Sequence, residues 1–291
     1  MASTPRYPIG VRALLVEEAA RRRRIETRFI DALERAGFAE VVLPIIDYVE
    51  PYAEIVDRDS TRKSYRFIDR EGELVAVRSD FTPMLARALA PAMRDDELPL
   101  RLFYRGDVIR CEASRLGVNR ELFQIGAEVV GDGSVDADVA TLRLASTLVH
   151  EFNGRATIVY NDVSIAAALI ERSPAVATAL ANKRANGELP DDLRPVVKKL
   201  IGGEATIDDV EPFAPEAAAR LRAIGGALDP EEFALHLDDF DEAIGYYTGI
   251  RFRVYGKGLL ARGGRYDNLY STFGQPAAAI GFTFTIDDLL E

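Results

Sequence analysis

The stretch with the clearest chemical pattern is "LFQIGAEVV", residues 122 to 130. Side chains alternate across an extended chain. Leu122, Gln124, Gly126, Glu128 and Val130 therefore share one side, and Phe123, Ile125, Ala127 and Val129 share the other. The second side is apolar and can pack on a helix. The first sets an amide and a carboxylate on either side of a glycine, and a carboxylate such as Glu128 suits an ammonium or imidazolium group. On the preceding segment Arg110 and Glu112 share a face, and a guanidinium there suits a carboxylate or a phosphate. The alternative for both strands is an edge hairpin whose polar face meets water.

Two further stretches carry polar groups at positions that could meet a ligand. In "VRSDFTP", residues 77 to 83, Asp80 and Thr82 sit at a strand-to-helix junction. Backbone N–H groups there face any bound anion, although helix capping alone also accounts for these residue types. In "IGYYTG", Tyr246 and Tyr247 point to opposite sides of a strand, so one can pack inward while the other lines a pocket. In "ARGGRYDN", Gly263 and Gly264 permit close backbone approach beside Arg265 and Tyr266; a tight turn with ordinary aromatic packing is the alternative. Neither G-x-G-x-x-G nor the G-x-x-x-x-G-K-[ST] phosphate loop is present. Cys111 is the only cysteine and His150 and His236 the only histidines, which excludes an internal disulfide and gives no zinc-like spacing.

The elements that must hold these residues are legible from periodicity. Residues 12–36 read as a helix, with Leu15, Ala19, Ile25, Phe29, Ile30 and Leu33 recurring at near-helical spacing and Gly37 just past its end. Arg21 to Arg24 fall on its solvated part, among Glu17, Glu18 and Glu26. "FAEVVLPII" is extended, with Pro44 at an edge or bend. "SYRFIDREGELVAVRSD" gives two strands about a turn at Asp69–Gly72. "FTPMLARALAPAM" starts a helix, capped by Asp80 or Thr82 with Pro83 in its first turn. A hairpin follows, then a helix over Asp136–Phe152 and the strand "ATIVYND". Residues from about 165 to 232 are Ala-rich and punctuated by prolines, which predicts a helical insertion on a β-rich body. "ALHLDDF", "YTGIRFRVYGKGLLARGG" and "AAIGFTF" resume strands, and "TIDDLLE" opens a short helix. Hairpins interleaved with helices, without a βαβ rhythm, predict an α+β fold about an antiparallel sheet.

Bulk properties bound the rest. The 291 residues are 48% hydrophobic and 29% charged, which suits a globular protein with an ample core. No apolar run has the length of a bilayer span and no secretory signal opens the chain, so a cytoplasmic protein is expected, with no membrane association. The net charge of −11 argues against indiscriminate nucleic-acid binding.

Taken in order, the long helix, "GFAEVVLPIID", "VRSDFTP", "VIRCEASRLGVNRELFQIGAEVVG", "IGYYTG", "ARGGRYDN" and "AAIGFTFTIDDLL" resemble the catalytic domain of histidyl-tRNA synthetase, a class II aminoacyl-tRNA synthetase fold. The likeness runs from about residue 8 to the end of the sequence. It implies one class II-like domain over 1–291 interrupted by the insertion. It places Arg110 and Glu112 on the arginine and glutamate of motif 2, and Arg120 at the end of that loop. It places Asp80 and Thr82 where the histidine α-amino end is held, and Gln124 and Glu128 on the strand face beneath the amino acid. Tyr246 and Tyr247 match the paired tyrosines, and Tyr266 the tyrosine of the glycine-rich hairpin. The histidine-binding set implied is thus Asp80, Thr82, Arg110, Gln124, Glu128, Tyr246, Tyr247 and Tyr266.

Two departures bear on activity. Glu242 stands where the synthetase has a catalytic arginine, and Asp288 where it has the motif 3 arginine. Adenylation develops negative charge that needs preorganised cations. A carboxylate about 4 Å from a phosphate charge costs roughly 4 kcal/mol at an effective dielectric near 20, where an arginine would gain as much. Arg251 is the nearby arginine that could compensate. The sequence also ends three residues after Asp288, so no anticodon-binding domain is expected. The resemblance therefore narrows to the regulatory subunits of ATP phosphoribosyltransferase. These imply no catalytic residues, cofactor or metal of the chain's own, and no tRNA partner. Expected instead are a short-form catalytic subunit as partner, a dimer within a hetero-oligomer, paired through the first helix and the strand around Pro44, and histidine as effector. Two other expectations compete: a truncated synthetase paralogue that still adenylates an amino acid, and a module that kept the fold for RNA contacts.

Overall fold

A computed structural model of the chain describes residues 7–53, 64–111, 119–151, 155–185, 188–240 and 247–290. Among these residues eight strands, numbered in chain order, form one sheet in the order β1-β5-β6-β11-β10-β9-β7-β8, and three more form a small sheet in the order β2-β4-β3. Helices accompany them, so the class is α+β as expected. Two compact units divide the chain. The first comprises Met1–Glu128, Leu269–Pro276 and Thr283–Glu291, and the second comprises Val129–Asn268 and Ala277–Phe282.

The first unit opens with α1, Val16–Arg35, which buries Ile25, Phe29, Ala32 and Leu33 at helical spacing. Phe29 meets Phe284 edge-to-face at 5.1 Å. The helix ends as read: Gly37 has φ +83° and its N–H donates to Glu34 O at 2.9 Å. The arginine run is not wholly solvated, because the Arg22 guanidinium lies 3.8 Å over the Phe123 ring. The short strand β1, Ala39–Glu40, pairs with β5, Leu100–Ile109, in parallel.

The small sheet comprises β2, Ile46–Tyr48, β3, Arg66–Ile68, and β4, Leu74–Val77, all antiparallel. The expected turn is there: Asp69 Oδ1 accepts from the N–H groups of Glu71 at 3.0 Å and Glu73 at 2.8 Å. Tyr48, Val75 and Phe67 form one cross-strand row, and Ile46 lies on the same face. Ile46, Tyr48 and Phe67 are exposed there. On the opposite face Asp47 accepts from Arg87 and from the Tyr52 hydroxyl.

Arg87 belongs to α2, Thr82–Leu89. Capping departs from the expectation: Phe81 takes the N-cap position without a side-chain bond, and Asp80 Oδ1 instead accepts from the Thr82 N–H at 3.1 Å. An acidic side chain two residues upstream closes a local turn more easily than a helix cap. Phe81, Leu85, Leu102, Tyr104 and Val108 make the core beneath α2.

The second unit holds Val129 and Val130, the last residues of β6 (Glu121–Val130), and then α3, Val135–His150, whose N-cap Ser134 accepts from the Ala137 N–H at 3.1 Å. β7, Thr157–Asp162, leads into five helices among the described residues: α4 Ser164–Arg172, α5 Ala175–Ala181, α6 Arg194–Gly202, α7 Ile207–Val210 and α8 Pro215–Ala227. β8, Phe233–Leu235, then returns parallel to β7, while β9, Ile250–Tyr255, runs antiparallel to β7 and to β10, Leu259–Arg265. The expected antiparallel sheet is thus corrected at both outer pairs, β1–β5 and β7–β8. A parallel return needs a long crossover, and the Ala-rich helices supply one. After α9, Leu269–Thr272, the last strand β11, Ala279–Thr285, completes the sheet. A single 3₁₀ turn, Ile286–Leu289, stands where a helix was expected to begin. No described helix is long and apolar enough to cross a membrane.

Candidate functional site

β6, Glu121–Val130, is an interior strand of the sheet, and from Phe123 onward both of its faces are buried. The solvated-hairpin alternative therefore fails. Gln124 is 5% exposed and Glu128 1%, so this polar face lies inside the protein. A buried carboxylate needs hydrogen bonds or opposite charge. Thr82 Oγ1 donates to Glu128 Oε1 at 2.9 Å, and the Tyr104 hydroxyl donates to the same oxygen at 3.3 Å.

Gly126 makes this arrangement possible. A Cβ on it would lie 2.3 Å from Cζ and the hydroxyl oxygen of Tyr104, so the phenol of β5 occupies the space a side chain would take. Tyr104 also stacks on Phe81, with ring centroids 4.4 Å apart and planes at 10°. Its hydroxyl lies 2.6 Å from Thr283 Oγ1. Burial pushes the Tyr104 pKa well up, and the charges of Glu128 and Asp80 push it further. The phenol stays protonated and available as a donor to Glu128. Neither Tyr104 nor Thr283 stands out in the sequence, because "LFY" and "GFTF" read as ordinary strand.

The other expected residues fall as follows. In the first unit, Asp80 precedes α2 and Thr82 begins it, while Arg110 is half-buried and its Nε donates to Ser79 O at 3.3 Å. Arg120 Nη1 donates to the Tyr65 hydroxyl at 2.9 Å. In the second unit, Tyr247 is half-buried against β10, where a Cβ on Gly264 would come 2.7 Å from its Cδ1. Gly263 is equally confined, since its Cβ would meet Gly281 O at 2.5 Å. The close approach expected at these glycines is thus to the protein's own strands. Tyr266 is buried, and its neighbour Arg265 donates to Asp138 at 2.6 Å and 3.0 Å. Tyr246, Glu112 and Glu242 lie outside the described residues. Asp288 is exposed in the final 3₁₀ turn, where its neighbour Asp287 accepts from the Phe123 N–H at 2.8 Å. Arg251 is 3% exposed and held 2.6 Å from Asp239, which also holds Arg253 at 2.7 Å.

The sequence profile of the family described as Histidyl-tRNA synthetase matches residues 10–289. The chain is 33% identical to the ATP phosphoribosyltransferase regulatory subunit of Symbiobacterium thermophilum, over 99% of this chain and 81% of that protein. It is 32% identical to the one from Moorella thermoacetica, over 97% and 80%. Among solved structures, an ATP phosphoribosyltransferase regulatory subunit/histidyl-tRNA synthetase from Bacillus halodurans superposes with a TM-score of 0.85 at 25% identity, covering 98% of this chain and 82% of the other. Apo histidyl-tRNA synthetase from S. aureus shares the fold, with a TM-score of 0.73 at 20% identity over 99% and 73%. The buried Glu128 face thus sits in a class II synthetase-like framework, and the chain belongs to the histidyl-tRNA synthetase-like family in the branch of the ATP phosphoribosyltransferase regulatory subunits.

Proposed function

We propose that this chain is a non-catalytic regulatory subunit of ATP phosphoribosyltransferase, acting at the first step of histidine biosynthesis. It supports a short-form catalytic subunit that joins ATP to phosphoribosyl pyrophosphate, and it transmits feedback by histidine. The observation that carries this reading is the 33% identity along 99% of the chain to a protein so named. In this reading the chain is a single class II-like domain with an insertion at about 165–232, acts in the cytoplasm and does not take up tRNA.

The buried face of β6 supports a retained amino-acid site. Glu128 receives an N–H of the histidine ring, Asp80 and Thr82 take the α-amino end, and Arg110 takes the carboxylate. Gln124, Tyr246, Tyr247 and Tyr266 complete the set. Aminoacylation is absent in this reading, because Glu242 and Asp288 stand where the adenylating arginines would be. The engagement of Arg251 by Asp239 supports this, since a guanidinium already paired is a poor substitute cation. Self-association is assigned to α1 and the strand around Pro44, supported by the exposed side chains of Val42 and Ile45 beside it.

Histidine can regulate only by binding the less active assembly more tightly than the active one. The test is the rate of the short-form catalytic subunit with and without this chain, at rising histidine. The expected result is a rate that needs the chain and falls with histidine. A rate indifferent to the chain rejects the reading, and histidine-dependent pyrophosphate–ATP exchange by the chain alone would restore the synthetase alternative.

A further inference from the structure

A cleft of about 360 Å³ opens in the first unit where α1, the start of β6 and the final 3₁₀ turn meet. Arg12, Arg22, Asp107, Glu121 and Asp287 line it, with Leu14 as the one large apolar side chain. Glu121 and Phe123 share the side of β6 turned away from Glu128, so the cleft is separate from the buried polar face. Three carboxylates meet two guanidiniums there. Arg12 is already shared with Glu18 at 2.9 Å, and Arg22 reaches Asp107 only at 3.4 Å. Asp287 Oδ2 holds a backbone N–H, and the exposed Glu121 makes no side-chain hydrogen bond or ion pair among the described residues. Negative charge is in excess, and the cleft suits a further cation.

The rim carries an independent sign. Leu15 holds the N-cap position of α1 with extended backbone, φ −102° and ψ 157°, and makes no side-chain bond to the helix. Serine, threonine or aspartate there would accept one of the orphan N–H groups, and leucine is among the poorest choices. Leu15 is 71% exposed and Val16 beside it 85%, so neither packs in the core. Folding does not account for these side chains. Pockets for small molecules are lined chiefly by apolar groups. An apolar rim about a charged recess instead suits a protein that inserts one basic side chain.

We infer that this surface docks the catalytic subunit: an arginine or lysine of that protein enters among Asp107, Glu121 and Asp287, and apolar side chains beside it cover Leu15 and Val16. Charge complementarity fixes the sign of the occupant, because an acidic side chain would meet the three carboxylates. It rests on the reading that the chain supports such a subunit, and it names the surface that does so.

The experiment follows assembly of the full chain with the short-form catalytic subunit by sedimentation velocity, at low and at raised salt. Wild type, Leu15→Ser and Glu121→Lys are compared, with thermal unfolding and the mass of the free chain recorded for each. Glu121→Lys should bind the subunit about tenfold or more weakly, because it sets like charges together. Leu15→Ser should bind about three- to tenfold more weakly while melting at an equal or higher temperature, since serine caps the helix. Raised salt should weaken the wild type and affect Glu121→Lys less. Unchanged affinity in both variants overturns this inference alone. Loss of self-association in either variant assigns the surface to a second copy and overturns it. So does a lower melting temperature in Leu15→Ser, which assigns the leucine to the fold. A wild type that does not bind the subunit overturns the functional reading as well.

Discussion

Thr82 Oγ1 and Glu128 Oε1 stand 2.9 Å apart, tying the first residue of α2 to a strand 46 residues further along the chain. The bond does two things. It satisfies a carboxylate that is 1% exposed, and it fixes the start of α2 over β6. On the reading proposed above the group serves recognition as well as stability, and substitutions separate the two roles.

Thr82→Val keeps the shape and removes the donor. The carboxylate then has one hydrogen bond fewer in the interior, which costs about 1–3 kcal/mol. Urea unfolding should show that loss. In the double variant with Glu128→Gln the two effects should not add, because both act on one contact; strict additivity would mean that the bond is energetically idle.

Gly126→Ala places a methyl where the Tyr104 phenol now lies. Overpacking of this kind costs about 1–3 kcal/mol. It also displaces the hydroxyl that donates to Glu128. We expect a lower melting temperature together with weaker histidine binding in calorimetry, and an alanine variant indistinguishable from wild type would show that β5 and β6 have slack at this point.

Alkaline pH should destabilise the protein through its buried phenols. Burial raises the pKa of Tyr104, Tyr270 and Tyr52 in the folded chain, whereas the unfolded chain releases those protons near pH ~10. Above that pH the unfolded state binds fewer protons than the folded one. Stability is thus full below about pH 10 and falls as pH rises, by up to roughly 1.4 kcal/mol per pH unit for each such phenol. Denaturant melts carried from neutral pH to about pH 11 should show a shallower fall in Tyr104→Phe, and an identical slope would remove Tyr104 from the account.

In the second unit Asp138 is 0% exposed and accepts from Arg265 at 2.6 Å and Arg220 at 2.5 Å. Asp138→Ala leaves the buried Arg265 with the longer contact to Asp267 at 3.2 Å as its only carboxylate among the described residues, and breaking a buried pair of this kind costs up to about 3–5 kcal/mol. Thermal unfolding should register a large drop, and a shift under a degree or two would mean that water reaches Arg265 readily. Asp138→Asn should fall in between.

What the sequence disclosed depended on whether a residue's surroundings were local. The Asp69–Gly72 turn, α1 and the Ala-rich helices follow from spacing within a few residues, and the structure has them. Alternation marked Gln124 and Glu128 as one face, but it left open whether that face met water. Only the position of β6 in the sheet settles this. Tyr104 and Thr283 escaped because a buried hydroxyl looks apolar in a strand pattern, and they lie 179 residues apart. The parallel outer pairs escaped for a similar reason: β1 and β8 are two and three residues long, too short for periodicity to speak. Asp80 was expected to cap α2, but its bond to the Thr82 N–H is an upstream brace and not a helix cap.

The helix α2 carries Thr82 at one end and Arg87, bound to Asp47 of β2, toward the other. Eight residues make a rod roughly 12 Å long, too stubby to bend. The helix thus joins the buried Glu128 contact directly to the strand whose other side displays Ile46 and Tyr48.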